Sequence, residues 1–267
     1  MIRFPANRRT TPDANLIPNI LEHRMNWSSP PAKLELAGNE VHVWAAALDP
    51  VPVRLAALGE LLSPDERDRA ERYRFPGLRA RFTAGRGQLR EVLGNYLQLD
   101  PARLEFAYPA RGKPSLTGLG AGQIHFNLAH SQNLALIAVT RVGEVGVDVE
   151  QIRPMRDGEA IAERFFSARE SEAFRRVPVA ERDAAFFTLW TRKEAWLKAT
   201  GDGISESLSK IEVTFLSEEP PQVLAIAGAA EAGAAWSLCP LNPARGFVGA
   251  LAIRCRSVKL QCWRAEP

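Results

Sequence analysis

Cysteine is scarce in this 267-residue chain: Cys239, Cys255 and Cys262 are the three it has. Their number is odd and their spacing is neither Cys-x-x-Cys nor that of a metal knuckle. They offer no disulfide framework and point to a reducing, cytoplasmic setting. Charge of one sign is also lacking, since 34 Lys and Arg against 31 Asp and Glu leave a formal net charge of +3. A nucleic-acid binder carries a strongly clustered basic surface instead. The arginines from Arg67 to Arg86 are interleaved only with Tyr73, Phe75 and Phe82, too few for a stacking platform. No run approaches the roughly 20 apolar residues of a membrane span. The stretch from Met1 to Asn39, rich in Pro, Asn and Arg, lacks the apolar core of a secretory signal and reads as an irregular extension. Nor is there a solenoid period. With 46% hydrophobic residues, what remains can bury a core in one or two units.

Periodicity lays out those units. Val41 to Leu48 reads as a strand, and Ser63 followed by Pro64 as a helix start. Phe82, Leu89, Val92, Leu93 and Tyr96 mark a longer helix that Asp100-Pro101 should stop. Strands are expected at Leu104 to Tyr108, Ile124 to Leu128, Leu134 to Thr140 and Val145 to Glu150. Helices follow near Glu159 to Phe165, Ala168 to Arg175 and Arg182 to Thr200. Five more strands are expected, at Ile211 to Leu216, Val223 to Ala227, Ala235 to Leu238, Phe247 to Ile253 and Val258 to Trp263. Helices and strands alternating in two blocks argue an α+β fold.

Two segments concentrate the chemistry. In Gly146-Val147-Asp148-Val149-Glu150 the strand period of two sends Asp148 and Glu150 out on one face. In Trp190-Thr191-Arg192-Lys193-Glu194-Ala195-Trp196-Leu197-Lys198, Glu194 and Lys198 stack four apart on a helix, with Lys193 beside them. Spacing alone fits two readings. One is the wet face of an edge strand plus a surface ion pair. The other is a hard-oxygen magnesium site facing a phosphate. Acids at the end of a valine ladder favour the second, because acids are rarely buried unpaired.

These two segments resemble the signature motifs of the 4'-phosphopantetheinyl transferases. Arg164-Phe165-Phe166-Ser167-Ala168-Arg169-Glu170 resembles the motif that connects them in that family. Arg111-Gly112-Lys113-Pro114 and His125-Phe126-Asn127-Leu128-Ala129-His130-Ser131 resemble the coenzyme A contact motifs of its larger, surfactin-synthetase-activating class. The likeness runs from about Ser63 to Gly203.

The resemblance implies two similar α+β lobes related by a pseudo-twofold, residues 40–144 and 145–267, after an extension at 1–39. It implies transfer of the 4'-phosphopantetheine arm of coenzyme A to a serine of an apo acyl or peptidyl carrier protein. Mg2+ would be held by Asp148, Glu150 and Glu194, with Glu194 and Lys198 catalytic. Cofactor contacts would come from Arg69, Arg81, Lys113, His130, Ser131, Lys193 and Lys198. A cytoplasmic monomer is expected, with no nucleic-acid or membrane partner. Ala129 stands where the family usually has serine, and Glu66 where relatives carry a lysine. Phe165, Phe166, Arg169 and Arg175 are candidates for the carrier-facing patch, the two phenylalanines being equally readable as core. Two other readings remain: a coenzyme A and carrier-binding module without catalysis, which predicts loss of a carboxylate or of Lys198, and a magnesium-dependent nucleotide hydrolase, which calls for a water-positioning residue.

Overall fold

The computed structural model of the protein describes residues 27–108, 113–201 and 208–266. Residues 1–26 of the N-terminal extension, Arg111-Gly112 of the first coenzyme A motif and Asp202-Gly203 at the end of the likeness lie outside the described residues. In chain order the elements are β1 (Glu40–Ala47), α1 (Pro52–Glu60), α2 (Pro64–Glu71), α3 (Pro76–Leu97), β2 (Glu105–Ala107), β3 (Ser115–Thr117), β4 (His125–Ser131), β5 (Leu134–Thr140) and β6 (Val145–Gln151). There follow α4 (Gly158–Phe165), α5 (Ala168–Arg175), α6 (Arg182–Thr200), β7 (Ile211–Val213), β8 (Val223–Ile226), α7 (Ala230–Gly233), β9 (Ser237–Leu241), β10 (Phe247–Ile253) and β11 (Lys259–Arg264).

Strand alternation decides the layering. On β1, Val41, Val43 and Ala45 point one way and Trp44 the other. The first set meets Leu136 and Ala138 of β5, Val145, Val147 and Val149 of β6, and Leu251 and Ile253 of β10 in one buried cluster. That cluster lies between a four-stranded sheet, in the order β11-β1-β5-β4, and a three-stranded sheet, in the order β6-β10-β9. Each outer face is covered by a long helix. Leu89, Val92, Leu93 and Tyr96 of α3 pack on Trp44, Ile137 and Val139, while Phe187, Leu189, Ala195 and Ala199 of α6 share a core with Ala250 and Ala252 of β10. The result is a helix–sheet–sheet–helix α+β body.

Local chemistry explains most boundaries. Ser63 opens α2 with proline at the first turn, and Glu66 reaches back to accept from the Ser63 amide at 3.1 Å. Helix α3 ends at Gln98, whose left-handed conformation (φ 54°) stops it before Asp100. That residue instead caps a short 3-10 turn, accepting from the Ala102 amide. Three elements were not anticipated from the sequence: α1, β3 and the one-turn α7.

The lobe division needs one correction. The last strand, assigned by sequence to the second lobe, crosses back and pairs in parallel with β1, from Glu40 opposite Lys259 to Ala45 opposite Arg264. The chain's final segment therefore closes the first sheet.

Where the two sheets meet at β4 and β6, side chains stand in for a backbone ladder. Asn127 Oδ1 accepts from the Val147 amide at 2.9 Å, and Ser131 Oγ accepts from the Gln151 amide at 3.2 Å. Ala129 lies between them in the inter-sheet cluster. The missing family serine thus falls on a position packed against apolar neighbours.

Candidate active site

Strand β6 lies against α6 because residue 146 is glycine. A Cβ there would stand 1.9 Å from the Ala195 carbonyl oxygen and 2.4 Å from the Ala199 nitrogen, so a side chain of any size is excluded. The close approach places Asp148, two residues on, beneath the helix face that carries Glu194 and Lys198. Asp148 and Glu194 are 5% and 4% exposed. Lys198 Nζ donates to Asp148 Oδ1 at 2.5 Å, whereas Asp148 Oδ2 and Glu194 Oε1 are buried without a hydrogen-bond partner among the described residues. The wet-edge reading of these acids is thereby overturned. The expected helix pair is replaced by a strand-to-helix ion pair between Asp148 and Lys198.

Burial raises both acids. It lifts Asp148 to about 6 against the pull of Lys198, and with the neighbouring Asp148 charge it lifts Glu194 to about 7. Two adjacent carboxyls that resist ionisation, each with an orphaned oxygen, form a site that a divalent cation would relieve. The donors are hard oxygens, which fits magnesium. Among the described residues no group of three His, Cys, Asp or Glu side chains stands ready around one point. Glu150 is at the rim, its Oε2 accepting from Ser131 Oγ at 2.7 Å and from Arg153 Nη1 at 3.3 Å.

The other expected contacts divide. His130 is exposed beside this site, and burial of part of its ring together with Lys198 pulls its pKa below the usual imidazole value. Lys113 sits toward the opposite end of β6, paired with Glu144 and donating to the Val145 and Ala199 carbonyls at 3.3 and 3.4 Å. It borders a cleft of about 580 Å³ lined also by Ile124, His125, Phe126 and Gly201. Arg69 is exposed on α2 and lies over the Phe82 ring at 5.5 Å. Arg81 is held by Asp49 in a two-pronged pair at 2.7 and 2.8 Å, so any phosphate contact would have to displace that carboxylate. Glu66 is buried and ion-paired with Arg90 Nε at 2.6 Å, so it contributes to the α2–α3 contact.

Lys193 is a correction. Its side chain is fully buried on the far side of α6, where the ammonium donates to Glu170 and, at 2.5 Å, to the Ile211 carbonyl. One residue along a helix turns by about 100°, which carries Lys193 away from the Glu194 face. It ties α6 to α5 and β7 and does not face the site. The carrier-patch candidates divide. Phe166 is buried against Phe186, Phe165 stands edge-on to Trp190, and Arg169 and Arg175 are both exposed, Arg175 paired with Glu172. Sequence reasoning had not weighed Asn127 or Arg153. Asn127 stood within a quoted motif, and its place on the buried face of an alternating strand was the available signal.

Two buried acids, one of them ion-paired to a lysine, with an exposed histidine alongside, mark the site of an α+β protein with hard-oxygen donors suited to a cation. The family model for the 4'-phosphopantetheinyl transferase superfamily matches residues 144–252. The chain is 44% identical over 235 residues to the 4'-phosphopantetheinyl transferase HetI of Nostoc sp., covering 88% of this chain and 95% of that protein. It is 36% identical over 166 residues to the 4'-phosphopantetheinyl transferase psf-1 of Bacillus pumilus, 62% of this chain and 69% of that one. Against the 4'-phosphopantetheinyl transferase Sfp of Bacillus subtilis it is 30% identical over 152 residues, 57% and 66% of the two chains. The chain belongs to the 4'-phosphopantetheinyl transferase superfamily.

Proposed function

We propose that this enzyme transfers the 4'-phosphopantetheine arm of coenzyme A to a serine hydroxyl of an apo acyl or peptidyl carrier protein, releasing adenosine 3',5'-bisphosphate. The observation that carries the reading is the pair of unpartnered, buried oxygens on Asp148 and Glu194, with Lys198 bound between strand and helix. Asp148 and Glu194, with Glu150 at the rim, would hold a magnesium ion, which would supply positive charge toward the pyrophosphate of coenzyme A.

The chain's own residues supply the rest. Glu194, a buried carboxylate on the same helix face as Lys198, accepts the proton of the carrier serine. The serine oxygen forms a bond to the phosphorus bearing the pantetheine arm. The bond from that phosphorus to the bridging oxygen breaks, and the electron pair leaves on the adenosine bisphosphate. Lys198, already at the site through Asp148, faces charge that develops on the phosphate oxygens. Arg69, Lys113, His130 and Lys198 are the proposed cofactor contacts, with Arg81 if a phosphate displaces Asp49. Among the described residues no helix is long and apolar enough to cross a membrane. A cytoplasmic monomer that uses neither nucleic acid nor membrane accompanies the proposal.

Intact-mass spectrometry of an apo carrier protein incubated with coenzyme A, magnesium and this enzyme tests it. The expected result is a gain of one phosphopantetheine. Glu194→Gln should slow that gain by about 10²- to 10⁴-fold, the usual contribution of a positioned base. Tight coenzyme A binding with no mass gain on any of several carriers would instead indicate a binding module.

A further inference from the structure

Ser131 was expected to donate to a phosphate of coenzyme A. Its hydroxyl has one proton, and that proton goes to Glu150 Oε2 at 2.7 Å. Ser131 Oγ also accepts from the Gln151 amide at 3.2 Å. Its single donor is thus used within the protein, on a residue 7% exposed. The backbone there is fixed as well. Ser131 pairs with Leu134 at the end of the β4–β5 hairpin, whose turn carries Gln132 in the left-handed region (φ 54°).

The consequence falls on Glu150. Ser131 and Arg153 both address Oε2, and among the described residues none donates a hydrogen bond to Oε1. We propose that Ser131 is a positioning residue for Glu150: a strand-anchored hydroxyl that holds Oε2 and leaves Oε1 as the oxygen presented to the ion, or to a water in its shell. The inference rests on the magnesium reading above. Carboxylates that serve metals commonly depend on such outer partners, and removing one typically costs 10- to 100-fold in metal affinity by order of magnitude. Arg153 is a weaker holder, with a longer contact and a side chain 45% exposed that also lies over Phe187 at 4.7 Å.

The test is Mn2+ binding to the whole protein, read by electron paramagnetic resonance of the free ion, for wild type, Ser131→Ala, Ser131→Thr, Glu150→Gln and the Ser131→Ala/Glu150→Gln double variant. Thermal melts confirm that each variant folds. Ser131→Ala is expected to weaken Mn2+ by about 10-fold, Ser131→Thr to restore it to within about threefold, and the double variant to be no weaker than Glu150→Gln alone. Rescue by threonine is a result that a loss of packing would not give. Unchanged Mn2+ affinity in Ser131→Ala, with Glu150→Gln weakened, overturns the positioning role and leaves the metal reading standing. Weakened coenzyme A binding in metal-free solution, with Mn2+ unchanged, overturns it in favour of a phosphate contact. Unchanged Mn2+ affinity in Glu150→Gln overturns both.

Discussion

Glu194 is held at a cost to the fold when no cation is present. Its ordinary pKa is 4.5, and in the folded protein burial raises it to about 7. A carboxyl whose pKa is raised on folding favours the folded state while protonated. That contribution is full below 4.5 and is lost as pH rises through about 7. Glu194→Gln, which stays neutral, should therefore be more stable than wild type at pH 8 in the presence of a chelator, by on the order of 3 kcal/mol. Below pH 4.5 the two should converge. Urea melts at pH 4 and pH 8 check the sign, and equal stability at both would mean that the site is wetter than its burial indicates. Asp148, raised to about 6, adds a term of the same sign. Binding of a divalent cation reverses both, since it needs the ionised forms. These acids were legible in the sequence because period two sends Asp148 and Glu150 to one face of a valine-rich strand, and period 3.6 puts Glu194 four residues after Trp190, on the same helix face. Lys193 was not, because α6 is buried around most of its circumference. On such a helix periodicity fixes the element and leaves open which of two adjacent charges faces the ligand.

Elements, more than single side chains, set the site's dimensions, and the contact between β6 and α6 is the narrowest. Gly146→Ala would place a methyl group 1.9 Å from the Ala195 carbonyl oxygen, a backbone atom that moves only if the helix does. The helix cannot move without carrying Glu194 and Lys198 off Asp148. We expect a loss of at least about 3 kcal/mol, seen as a large fall in thermal midpoint or as insoluble protein, with transfer activity lost in any folded fraction. Gly201→Ala is the control, since it changes only the left-handed cap of the same helix (φ 77°), where a Cβ meets nothing within 4 Å. It should cost about 1 kcal/mol and leave activity in place. The bounds of α6 were readable from its sequence, with glycine just past its end. Helix α1 was not: its sequence, PVRLAALGE, buries only Leu58 and gives little apolar stripe to read.

At the scale of the whole molecule, the two sheets depend on each other through the chain's last strand. No local pattern in Lys259 to Arg264 reveals that it pairs with β1, some 219 positions earlier at Glu40 and Lys259, because strand periodicity carries orientation but not partner. Six register pairs join the two strands, Cys262 is buried, and Trp263 packs with the α3 core. Truncation after Ser257 would expose one edge of β1 and remove these contacts. At about 1 kcal/mol for each lost ladder bond plus the buried side chains, the loss is a large share of the 5 to 15 kcal/mol that typically stabilises a domain. Were β6 and α6 independent of the first sheet, damage confined to that sheet would leave a protein that still binds Mn2+, but the valines of β6 share a cluster with Val41, Val43 and Leu136. The expected outcome is different. Asn127 and Ser131 of the first sheet hold Val147, Glu150 and Gln151 of the second, so the truncated chain should lose Mn2+ affinity together with coenzyme A affinity, in a single broadened melting transition. Two separate transitions, with Mn2+ binding following the later one, would show that the sheets are energetically independent and that the side-chain bridges at β4 and β6 do not couple them.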